Sequence, residues 1–180
     1  MKNILLNLLL LYLAGSASAS FNSNSSCLSI NRPLSVSGCP LNSDLNRTAF
    51  YKAMESEDQT LIDAQISELN LASSNLKNAF LGAMIMKKAG IGGNPFYKLW
   101  LFKKGHELLE DAIKESPNNT EFRFLRLMIQ ENAPGFLGYN DSEERDSEYI
   151  RKAYNTLPEN LQKTILAYNK TSKVLKLQSS

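Results

Sequence analysis

The stretch from Asn94 to Pro117 constrains the chain more than any other. Asn94 is placed to cap a helix, Pro95 fills its first position, and Ser116-Pro117 stops it. Between these limits Leu99, Phe102, His106, Leu109 and Ile113 recur at helical intervals and predict one apolar stripe. Such a helix is stable only where its stripe is covered, so neighbouring segments must supply other apolar faces.

Those segments show the same period. A first helix is expected from Asp44, with Leu45, Ala49, Ala53 and Met54 on one face. A second follows the capping-box pair Ser56 and Gln59 and carries Ile62, Ile66 and Leu69. A third bears Leu76, Ala79, Phe80, Ala83, Met84 and Lys87 and ends at Gly90. Beyond Pro117, Asn118 with Glu121 opens a fifth helix carrying Phe122, Leu125, Met128 and Ile129, closed by Pro134-Gly135. Asp141 with Glu144 opens a sixth with Ile150, Ala153, Tyr154 and Leu157, and Pro158 starts a seventh with Leu161, Ile165 and Tyr168. No segment alternates as a strand does. The expected fold is all-α, with about six or seven short helices as antiparallel hairpins. They occupy residues 43–175, and 176–180 form a tail.

Residues 1–19 read as a cleavable secretory signal peptide. Lys2 precedes an apolar run from Ile4 to Leu13, well short of the roughly 18 to 20 residues that span a bilayer, and Ala17 and Ala19 supply an A-x-A cleavage site. The mature chain is expected to begin near Ser20, to lack a membrane span, and to reside in the periplasm or outside the cell. Residues 20–42, rich in Ser and Asn, read as an irregular leader. Its Cys27 and Cys39 are expected to form a disulfide in that oxidising space. Their separation does not fit the C-x-x-C of a redox site.

Without residues 1–19 the chain keeps 19 basic residues against 18 acidic ones, and no element is uniformly basic, so nucleic acid is not an expected partner. Catalytic and metal chemistry find little footing. His106 is the sole histidine and lies within the apolar stripe, which fits a packed side chain. The run His106-Glu107-Leu108-Leu109-Glu110 lacks the second His of a zinc protease motif. The pairs Glu107 with Asp111 and Glu144 with Glu148 share helix faces but have no sugar-binding aromatic platform beside them. The acids from Asp141 to Glu148 lack the ligand order and glycine of a calcium loop, and suit a helix N-terminus instead. Gly90, Gly92 and Gly93 are not followed by the Lys-Ser/Thr of a phosphate loop. No cofactor or metal is expected, and a hydrolase is the weakest of the readings.

Phe102, Gly105, Leu109, Ala112 and Pro117 stand at the spacings of aromatic, small, large, small and terminal proline. In this the segment resembles the second helix of a tetratricopeptide repeat, over about half a repeat. The resemblance implies a helical hairpin in which Gly105 and Ala112 admit a close neighbour, within a bundle or short solenoid that binds protein. Arg123 and Arg126 depart from the pattern, as does the loop from Gly90 to Gly93. The stretch from Phe122 to Asp141 also resembles segments of uncharacterised exported bacterial proteins, which implies no activity.

Aromatic side chains concentrate at Phe96, Tyr97, Trp100 and Phe102, with Phe136 and Tyr139 further on. The first four spread over more than half the circumference of one helix, so some must face a neighbour or a partner. Phe96, Tyr97, Trp100, Phe136 and Tyr139 are the candidate binding residues. The expected function is an exported, non-enzymatic helical module that binds a protein or peptide. The alternative is a carrier of an apolar small molecule inside the bundle, suggested by Met84, Met86, Met128 and the aromatics.

Overall fold

The computed structural model describes residues 45–177. The fold is all-α: α1 (Arg47–Glu55), α2 (Gln59–Leu71), α3 (Lys77–Ile91), α4 (Pro95–Glu115), α5 (Thr120–Asn132), α6 (Glu143–Ala153) and α7 (Glu159–Asn169), with 3-10 turns at Gly135–Leu137 and Tyr154–Thr156. No strand occurs among the described residues. The signal-like segment, the leader and both cysteines lie outside them.

Local chemistry sets the helix starts. The Asn46 side chain accepts from Ala49 N at 3.1 Å and opens α1. Asp58, not Ser56, caps α2 by accepting from Thr60 N at 2.8 Å, while Ser56 Oγ accepts from Asp58 N. At α5 the cap is Asn119, one residue beyond the expected Asn118, and it accepts from Glu121 N and Phe122 N. Adjacent residues with equivalent side-chain acceptors leave this one-residue choice to packing. Gly90 falls inside the last turn of α3, and Gly92 is the residue that follows the helix. α6 begins after Ser142 instead of Asp141, with Glu143, Glu144 and Asp146 in its first turn, where the helix dipole favours acids.

Two helices form the interior. Every residue of α3 from Ala79 to Met86 is buried, as are those of α5 from Phe124 to Gln130. A helix apolar around most of its circumference must be surrounded, and the others do the surrounding. Edge-on ring pairs tie the layers together: Phe50 of α1 on Phe80 of α3 at 4.6 Å, and Phe124 of α5 on Tyr168 of α7 at 5.5 Å. No helix of the described residues is long and apolar enough to cross a membrane.

The most extensive packing joins α3 to α4. At its centre two glycines meet. A Cβ built on Gly82 would lie 2.6 Å from Gly105 O, and one on Gly105 would lie 2.5 Å from Gly82 O. Only hydrogen at both positions allows this backbone approach. The buried face of α4 is therefore Leu101, Gly105, Leu109, Ala112 and Ile113. This corrects the expected stripe: Leu99 is exposed, and Phe102 and His106 are half-buried at the flank. Both sets of positions have helical spacing, and the choice falls to the set whose glycine fits against α3.

Candidate docking face

Turning the face of α4 from Gly105 to Ala112 inward aims the opposite side of its first two turns at solvent. Gly93, at φ 103°, lets the chain reverse between α3 and α4, and Asn94 then caps the new helix by accepting from Phe96 N at 2.8 Å. Pro95 sets the first turn. The side chains that follow stay largely in water: Phe96 is 84% exposed, Trp100 54%, Tyr97 47% and Leu99 41%. Other large exposed apolar residues, Leu61, Leu71, Phe136 and Leu166, are scattered along the chain. Single exposed apolar residues are ordinary on protein surfaces, whereas a contiguous cluster marks an interaction surface. Leaving Phe96 alone outside forfeits about 1.5–3 kcal/mol of burial.

The face has internal order. Tyr97 and Trp100 stack with centroids 5.8 Å apart and planes 19° from parallel. Lys104 lies over the Trp100 ring at 5.4 Å, a cation–π contact that holds charge beside the aromatic surface. Tyr97 and Leu101 also line a cleft of about 140 Å³ together with Gln59, Lys88, Ile91, Gly92 and Gly93, where α3 turns into α4.

Of the five candidate binding residues, Phe96, Tyr97 and Trp100 are thus brought together. Phe136 is 88% exposed on the turn after α5, and no ring contact joins it to them. Tyr139 is corrected to an interior role, since it is only 7% exposed and its hydroxyl donates to Glu110 Oε1 at 2.6 Å. Burial, then the hydrogen bond to Glu110 and its charge, hold that phenol well above its ordinary pKa. His106 packs edge-on against Tyr139 at 4.8 Å, and Phe102 completes a cluster of three rings by touching both. Met84, Met86 and Met128, which the sequence offered for a ligand cavity, belong to the continuous core.

Sequence reasoning missed a buried ionic network. Asp146 of α6, fully buried, accepts from Arg126 Nε at 2.6 Å and Nη2 at 2.9 Å, and from Arg123 Nη1 at 2.9 Å. Arg126 Nη1 donates to Glu110 of α4 at 2.8 Å, so three helices share one set of charges. Burial alone would lower the guanidinium pKa, but Asp146 and Glu110 outweigh it and raise it. Glu121, likewise buried, takes a two-pronged contact from Arg47 and a hydrogen bond from Tyr51. Glu131 accepts from Tyr168, Ser172 and the backbone N of Lys173, fixing the segment after α7. The available signal was Arg123 and Arg126 three apart within the otherwise apolar run from Phe122 to Ile129, the same two residues that break the repeat-like pattern. A second missed signal is charge order: no Asp or Glu occurs from Leu69 to His106, a stretch holding Lys77, Lys87, Lys88, Lys98, Lys103 and Lys104.

Comparison with protein-family models, with curated proteins and with solved structures finds no match for this chain.

Proposed function

We propose that this protein is an exported, non-enzymatic helical module that binds a protein partner through the aromatic face of α4. The observation that carries the reading is the clustering of Phe96, Tyr97, Leu99 and Trp100 in water on the first two turns of one helix. Their exposure is costly, and a partner that covers them recovers the burial energy. Aromatic anchors of this kind dominate protein interfaces, where Trp and Tyr contribute large area with few rotatable bonds. The cleft beside them, at about 140 Å³, is smaller than the roughly 300–1,000 Å³ of small-molecule sites, which favours a protein partner over a carried ligand. The tetratricopeptide-like hairpin reading is part of the proposal. Gly105 at the α3 crossing and the burial of Ala112 support it. Export rests on the signal-like pattern of residues 1–19.

Two measurements test this. A photo-crosslinking residue at position 96 or 100 should capture a protein in the native cells, whereas one at position 71, more exposed than either but outside the cluster, should not. Equal capture from both sites would refute the face. Mass spectrometry of the mature protein should find Ser20 at its start, and a retained leader would refute export.

A further inference from the structure

Resting on the reading of the α4 face as a docking site, we propose what its partner carries. It is a protein segment that places one bulky apolar side chain in the α3–α4 cleft and holds carboxylates beside it. Shape is the first argument. The cleft holds about 140 Å³, close to the roughly 150 Å³ that receives a benzene ring in an engineered cavity. That is room for one side chain, with Ile91, Tyr97 and Leu101 as apolar walls beside Gln59 and Lys88. Tyr97 lines it and also stacks on Trp100, so a segment anchored there runs directly onto the aromatic face.

Charge is the second argument. The whole chain has a formal charge of only +2, yet the aromatic face and the cleft lining, apart from Gln59 of α2, fall within the acid-free stretch from Leu69 to His106. Lys88 is neutralised by Asp63 at 2.6 Å, but Lys103 and Lys104 are exposed. Helical spacing puts them on the side of Phe96 and Trp100, one turn further along, where Glu107 is the next charge and leaves the lysines in excess. Carboxylates on an incoming segment are attracted there, and a basic segment is repelled. An anionic bilayer would meet the same lysines and rings but has no side chain to seat in the cleft, so the combination favours a peptide.

The experiment selects a phage-displayed random peptide library on the full-length protein and tests vesicles containing phosphatidylglycerol in parallel. The expected result is enrichment of peptides that combine acidic residues with a large apolar one. Their affinity should fall at least about tenfold in Trp100→Ala. It should fall likewise in the Lys103→Glu/Lys104→Glu variant, and should weaken as salt rises. Circular dichroism of each variant confirms that it is folded. Peptides lost in Trp100→Ala but free of acidic bias and indifferent to the lysine reversal would overturn this inference while leaving the docking face intact. Binding to the vesicles with no peptide enrichment would overturn both, as would peptides that bind every variant equally.

Discussion

Asp146 shows how much one side chain can decide. With no exposure it is compensated, among the described residues, by Arg126 and Arg123, and its removal leaves Arg126, at 4% exposure, a buried charge without its main partner. Asp146→Ala is expected to cost about 3–5 kcal/mol in urea unfolding, while an Arg126→Met/Asp146→Leu pair recovers most of that loss, because the two most buried charges go together and the remaining Arg123 and Glu110 both reach solvent. The tyrosines make a second prediction. Tyr51, Tyr139 and Tyr168 each donate to a carboxylate, and burial with the adjacent negative charge raises all three pKa values. Their protonated forms are favoured in the fold, so the stability they contribute is complete below about pH 10, the unfolded phenol value, and is lost as pH rises beyond it. Alkaline titration followed by phenolate absorbance should show these three ionising late, together with unfolding. Early ionisation of all the tyrosines would contradict the buried placement.

Among the helices, the α3–α4 crossing sets tight tolerances. Gly82→Ala would gain about 1 kcal/mol of helix propensity but forces a methyl to 2.6 Å from the Gly105 carbonyl and 2.8 Å from Leu109 N. Neither is the end of a flexible side chain, so overpacking wins, and a net loss of about 1–3 kcal/mol is expected. Gly90→Ala, where a Cβ meets nothing within 4 Å, should instead stabilise by about 0.5–1 kcal/mol. Denaturant midpoints of the two variants, moving in opposite directions, check the crossing. The same crossing explains what the sequence could and could not say. Asn94, Pro95 and the stop at Ser116 were legible because capping depends on residues within one turn of each other. The inward face was not, because its key members are small. Gly105 and Ala112 carry little hydrophobic signal, and Gly82 lies on a different helix. The repeat-like pattern, which weighs small residues, picked out Gly105, Leu109 and Ala112, while hydrophobic periodicity alone favoured Leu99 and His106.

For the molecule as a whole, the legible part was the class. Capped helical periods and the absence of alternation led to the all-α fold that the structure has. The candidate site was legible as an excess of aromatics on α4, and Phe96, Tyr97 and Trp100 do lie together in the open. The buried charges were not legible, since Glu110, Arg126 and Asp146 on three helices look like solvated residues until tertiary packing joins them. A face that contributes nothing to the core should be dispensable for folding. The double variant Phe96→Ser/Trp100→Ser is expected to unfold within about 1 kcal/mol of the parent, the sum of two surface changes. A large destabilisation in chemical denaturation would mean that these rings are structural.

The chain contains a single tryptophan, Trp100, and the fold leaves it more than half in water beside Tyr97. Its emission therefore comes from one known place, the surface where a partner would land. Withdrawal from water shifts indole light to the blue, so association can be followed without any label. Unfolding moves this indole from one wet environment to another and should change its colour little, which lets an optical titration of binding proceed almost blind to stability.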